Sequence, residues 1–87
     1  MKLMMVILRD VDDENVIQAL LEQGYRVTRM ASTGGFLRRG NVTLMIGVDT
    51  DKVQAVMEVI RQVCGPEDPE QHRATVFVVD MPYFEQV

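Results

Sequence analysis

Leu3-Met4-Met5-Val6-Ile7-Leu8 is an unbroken apolar run, closed by the charged pair Arg9-Asp10. A run this short, bounded on both sides, suits a buried strand better than a helix. Its two parities, Leu3, Met5, Ile7 and Met4, Val6, Leu8, are equally apolar, so the strand has no side to give to water. Ala74-Thr75-Val76-Phe77-Val78-Val79 repeats the pattern near the other end of the chain. There Val76 and Val78 stand on one side and Phe77 and Val79 on the other.

Working outward, Asp12 or Asp13 is expected to cap a helix by accepting hydrogen bonds from its free N–H groups. Val16, Ile17, Leu20 and Leu21 form that helix's apolar face, and Gly24 suits a left-handed C-cap. Tyr25-Arg26-Val27-Thr28-Arg29-Met30 reads as a second, more polar strand, followed by a glycine-rich loop through Asn41. Val42–Val48 is the third strand. Asp49 or Thr50 then caps a second helix, whose positions Val53, Val56, Met57, Ile60 and Val63 keep the helical period. Cys64-Gly65-Pro66 ends it, an acidic connector runs through Glu67 to His72, and Ala74–Val79 is the fourth strand. The order βαβ followed by βαβ, with a faint echo of Ile17-Gln18-Ala19 in Val53-Gln54-Ala55, predicts an α+β, ferredoxin-like βαββαβ sandwich over residues 1–87 as one domain. Its four-stranded antiparallel sheet would carry both helices on one face. The second face would then be apolar and bare, and the chain holds no spare element to cover it. Another copy of the chain is the expected cover.

Composition narrows the function classes. The chain has 87 residues, 47% of them hydrophobic and 25% charged, with a net charge of −4. No apolar run approaches the ~18–20 residues of a membrane span, and Met1-Lys2-Leu3 leads straight into a strand with no cleavage site, so neither membrane nor secretory targeting is expected. A single cysteine, Cys64, builds no disulfide framework and fits a cytoplasmic location. The net charge argues against a nucleic-acid polymer as partner. Its distribution is more informative. From Tyr25 to Val48 there are four arginines (Arg26, Arg29, Arg38, Arg39) and no acidic residue. One basic window in an acidic chain is a candidate anion site, or else a solvated loop.

Catalysis finds little support. Cys64 and His72 are the only thiol and imidazole; Cys64 reads as a packed small hydrophobe and His72 as a solvated loop residue, with no set of metal ligands and no cofactor implied. The carboxylates Asp12, Asp13, Glu14, Asp49 and Asp51 gather at helix starts, where they complement the macrodipole. The seven methionines read as core. The loop Ser32-Thr33-Gly34-Gly35-Phe36-Leu37-Arg38-Arg39-Gly40-Asn41 differs. Paired glycines let backbone N–H groups close on an anion, Arg38 and Arg39 add charge, Ser32, Thr33 and Asn41 add hydrogen bonds, and Phe36 offers a stacking surface. Arg26 and Thr28, two apart on a strand, face the same side beside it. Together they suggest a phosphate-bearing, nucleotide-like ligand; the bland alternative is a glycine hairpin with Phe36-Leu37 tucked onto the core.

The segment Arg26 to Thr43, RVTRMASTGGFLRRGNVT, resembles the hallmark of the cyclic-di-AMP receptor family of PII-like signal-transduction proteins. The opening strand, Leu44-Met45-Ile46-Gly47-Val48, Ala74-Thr75-Val76-Phe77-Val78 and the ending Phe84-Glu85-Gln86 follow the same pattern. The resemblance implies a non-enzymatic homotrimer with its sheets packed inward, a cyclic-di-AMP ligand in clefts between subunits, and an unidentified protein target. It also implies that Arg26, Thr28, Gly35, Phe36, Leu37, Asn41 and Gly47 line the ligand site, with Ala74 and Thr75 contributed by the neighbouring subunit; Arg38 joins them on its charge alone. This chain departs from the pattern in its connector. Gly65 to Arg73 is short, and His72-Arg73 stand where the family carries Gly-Gly before Ala-Thr. A relative that has lost cyclic-di-AMP and senses another nucleotide or anionic metabolite is the alternative.

Overall fold

The computed structural model describes residues 1–30, 40–67, 69 and 72–87. Strand β1 spans Lys2–Arg9, helix α1 Asp13–Glu22, β2 Val27–Met30, β3 Asn41–Val48, α2 Val53–Val63 and β4 Ala74–Asp80, with a 3-10 turn at Thr50–Lys52 leading into α2. The strands form one antiparallel sheet in the order β2-β3-β1-β4. That is the expected α+β, ferredoxin-like arrangement. The first apolar run, β1, lies inside the sheet between β3 and β4.

One parity of each strand meets the helices. Met4, Val6 and Leu8 of β1 and Val42, Leu44, Ile46 and Val48 of β3 are buried with Val16 and Leu20 of α1 and Val56, Val59 and Ile60 of α2. Among the described residues no helix or strand lies over the other parity. Leu3, Met5 and Ile7 are only half-buried, while Phe77 and Val79 are 54% and 45% exposed. The bare apolar face expected from the strand patterns is therefore present in the single chain.

Several local expectations need correction. Neither Asp12 nor Asp49 makes a side-chain capping bond. The Asp12 carboxylate is turned away from α1 to accept from Arg9 Nε at 2.8 Å and from the Gly65 N–H at 3.0 Å. The second strand starts at Val27, not Tyr25. Gly24 takes φ +86°, its N–H donates to the Leu21 carbonyl, and the Tyr25 N–H donates to that of Leu20. This pair of bonds is a Schellman closure, so residues 24 and 25 belong to the end of α1. Leu21, expected on the apolar face, is 51% exposed, whereas Val59, outside the expected set, is buried. Of the methionines only Met4 is core; Met1 and Met30 are exposed and the other four half-buried.

Candidate functional site

The helix-free face carries most of the described residues that the sequence singled out. Thr28 pairs with Met45, and Met45 with Met5, which fixes their common parity; Asn41 and Gly47 share it on β3, and Thr75, paired with Ile7, shares it on β4. Ala74 has the opposite parity and lies on the helix side. Gly35, Phe36, Leu37 and Arg38 lie outside the described residues.

Arg26, Thr28 and Gly47 converge on one cavity of about 370 Å³. Arg26 and Thr28 come from β2 and the residue before it, and Gly47 from the adjoining end of β3. Met1 and Leu3 close one side, Met45 another, and the segment after β4 folds back to add Met81, Phe84 and Gln86. Two contacts hold that segment in place. The Met81 N–H donates to the Met1 carbonyl at 3.1 Å, and Arg26 Nη1 donates to Gln86 Oε1 at 3.4 Å. Gly47 leaves room: a Cβ there would make ordinary contact with Met81 Cε at 3.4 Å, and a larger side chain would enter the cavity. Residue chemistry alone does not assign Met45, Phe84 and Gln86 to the site. Met45 is far in sequence from Phe84 and Gln86, and only the fold collects the three.

Charge distinguishes Arg26 from the other described arginines. Arg9 pairs with Asp12 at 2.7 Å, Arg29 with Asp13 at 2.7 Å, Arg61 with Glu58 at 3.3 Å and Arg73 with Glu67 at 3.7 Å. Among the described residues Arg26 alone of these has no carboxylate partner, and its one side-chain hydrogen bond goes to a neutral amide. The basic window is thus not uniform. Arg29 is paired with a carboxylate, whereas Arg26 lines the cavity without one among the described residues.

Asn41 and Thr75 do not reach this cavity. Asn41 is at the opposite end of β3, six residues or about 20 Å from Gly47 at strand spacing. Thr75 is on β4, three strand spacings or ~14 Å from β2 across the sheet. Arg26-Thr28 and Ala74-Thr75 therefore occupy opposite edges of one sheet.

A second cavity, about 410 Å³, opens on the helix side between α2 and β4, where Met57, Ile60, Ala74 and Val76 meet Cys64, Arg61, His72 and Arg73. Burial, and after it the Asp12 charge, pushes the Cys64 thiol upward, against the lowered value a nucleophilic thiol needs. Cys64 is the packed hydrophobe expected, immediately after α2 rather than within it. Among the described residues no group of three or more His, Cys, Asp or Glu is placed to hold a metal ion, and none of their helices is long and apolar enough to cross a membrane.

Comparison with known proteins identifies the family. Residues 1–72 match the family described as cyclic-di-AMP receptor. The chain belongs to the cyclic-di-AMP receptor family. The match takes in Arg26, Thr28, Asn41 and Gly47 and ends just before β4, so Ala74, Thr75, Phe84 and Gln86 fall outside it. Among solved structures, the crystal structure of a functionally unknown protein from Pediococcus pentosaceus ATCC 25745 is similar. It is 32% identical, with a TM-score of 0.78 over 99% of this chain and 96% of that one. The family is one of receptors, and it points to a nucleotide second messenger as the ligand class.

Proposed function

We propose that the protein is a non-enzymatic, cytoplasmic homotrimer that binds cyclic-di-AMP in clefts between subunits and passes occupancy to a protein target through loop rearrangement. The observation that carries this reading is Arg26, an arginine without a carboxylate partner at the mouth of a cavity. In a cleft shielded from water such a guanidinium attracts an anion, and its planar fork suits a phosphodiester. Arg26, with the backbone amides of Gly34-Gly35 and with Arg38, would hold phosphate. Phe36 and Leu37 would sandwich a base, Thr28 and Asn41 would read base edges or ribose, and Gly47 would leave room for them.

The inter-subunit placement is supported by distance. One chain puts Arg26 and Thr28 on one sheet edge and Ala74 and Thr75 on the other. A site using both sets needs the β4 edge of a second copy brought to the β2 edge of the first. The volume agrees with this, since about 370 Å³ is near the lower limit of ligand pockets, ~300–1,000 Å³, and would take only part of a cyclic dinucleotide. The short Gly65–Arg73 connector favours a second reading, a trimeric adaptor that senses another nucleotide or anionic metabolite. Calorimetric titration of the purified protein with cyclic-di-AMP, cyclic-di-GMP, ATP and AMP decides between them. Saturable heat with cyclic-di-AMP supports the first reading; heat only with another of the four supports the second.

A further inference from the structure

Asp13 is a buried carboxylate that no part of the proposed site uses. It is the first residue of α1, only 3% exposed, and its Oδ2 accepts from Arg29 Nε at 2.7 Å. Arg29 lies between the site residue Thr28 and the end of β2, and it pairs in register with Leu44, a fully buried residue beneath the helices. Its side chain therefore leaves the sheet on the helix side, while Thr28 leaves on the other. β2 is the weakest strand of the sheet: four residues long, at an edge, and hydrogen-bonded to β3 alone. Val27 apart, all its residues are exposed, so little apolar burial holds it. Among the described residues the Asp13–Arg29 pair is the side-chain polar bond that ties this strand to the helix layer.

We propose that Asp13 is a positioning residue of the ligand site. Acting through Arg29, it fixes β2 and with it the Arg26 guanidinium and the Thr28 hydroxyl on the opposite face. The location suits the task, because a carboxylate at a helix N-terminus complements the macrodipole. Its neighbour Asp12 addresses a different segment, bonding Arg9 and the Gly65 N–H at the start of the connector. The two adjacent carboxylates thus hold two different parts of the chain, and only the Asp13 bond reaches the site strand.

The inference rests on the reading of Arg26 and Thr28 as ligand contacts, so its test has one arm with ligand and one without. The variants are Asp13→Asn, which keeps size and loses charge, Arg29→Ala, Arg29→Lys, and the double change Asp13→Asn/Arg29→Ala. Val59→Ala, a core truncation on α2, is the control for destabilisation alone. In the arm without ligand, amide exchange at Val27–Met30 is expected to speed up in Asp13→Asn and Arg29→Ala more than in Val59→Ala. In the arm with cyclic-di-AMP, measured where circular dichroism shows every variant folded, both single changes should raise Kd by roughly three- to tenfold, the order of coupling between contacting groups. The double change should cost no more than either single one, Arg29→Lys should recover part of the loss, and Val59→Ala should leave Kd unchanged. Exchange at Val27–Met30 no faster than in the control overturns the inference, and so does a Kd within twofold of the unsubstituted protein. If the unsubstituted protein binds none of the four nucleotides, the proposed function fails, and the exchange arm still decides whether Asp13 positions β2.

Discussion

Arg26 and Gly47 make opposite demands on the cavity they share, one contributing charge and the other absence of bulk. Replacing Arg26 by Ala removes a hydrogen bond to a charged group, so cyclic-di-AMP affinity should fall by ~1.5–3 kcal/mol, roughly ten- to hundredfold in Kd by titration. The melting temperature should hardly move, because the residue is exposed and, among the described residues, bonded only to Gln86. Gly47→Val should show the same separation by another route. The strand tolerates a β-branched residue and the nearest atom is the flexible end of Met81, so stability is kept while the side chain fills the cavity and binding is lost. A fall in melting temperature with intact affinity would assign either residue to the fold. Cys64 behaves differently. Burial raises its thiol above the ordinary value of 9.0. A group whose folded value is raised contributes stability below the unfolded value, which is lost as pH rises through the folded one. Stability measured by urea unfolding should therefore drop above about pH 9 more steeply in the natural protein than in Cys64→Ala. At neutral pH native Cys64 should resist iodoacetamide.

At the scale of elements, what the sequence discloses is what repeats along the chain. Runs such as Leu3–Leu8 and the Val53–Val63 pattern set element type because burial imposes the period, and the βαββαβ order then leaves one natural sheet topology. The helix caps were illegible. A capping bond and an ion pair compete for the same carboxylate, and Asp12 and Asp13 lie close enough to Arg9 and Arg29 in space for the ion pairs to win. Nor does periodicity reveal that Phe84 and Gln86 return to β2 and β3, because the contact spans some sixty residues and uses no repeated pattern. The methionines misled for a related reason, since Met45 and Met81 have core chemistry but line a cavity. Gly24, by contrast, was legible, and its role can be isolated. With φ +86° and open space for at least 4 Å around the point a Cβ would occupy, Gly24→Ala has only backbone strain to overcome. It should destabilise the protein by ~1–2 kcal/mol in urea unfolding, with nucleotide affinity unchanged. A loss below a few tenths of a kcal/mol would mean that α1 ends without needing the left-handed residue.

For the whole molecule the decisive feature is the sheet face that the helices leave bare. Phe77, Val79, Phe84 and Met30 are each between 42% and 55% exposed, and Leu3, Met5 and Ile7 lie half-buried between them. An exposed apolar surface of this kind marks an association site. A copy of the same chain is the cover we propose, because the ligand residues proposed on β2 and β4 sit on opposite edges and can share a site only across a subunit boundary. Three copies around an axis would present three equivalent edge-to-edge clefts and close without free ends. Sedimentation equilibrium at micromolar concentration should accordingly return three times the chain mass. Phe77→Glu places a carboxylate in the middle of the packed face, where desolvation without a partner is costly. It should shift the protein to monomer while far-ultraviolet circular dichroism shows the fold retained, since the Phe77 side chain is 54% exposed in the single chain. Cyclic-di-AMP binding should disappear with the trimer, although Phe77 lines neither described cavity. A natural protein that sediments as a monomer, or a monomeric Phe77→Glu that binds with undiminished affinity, would place the complete site within one subunit and remove the case for an inter-subunit cleft.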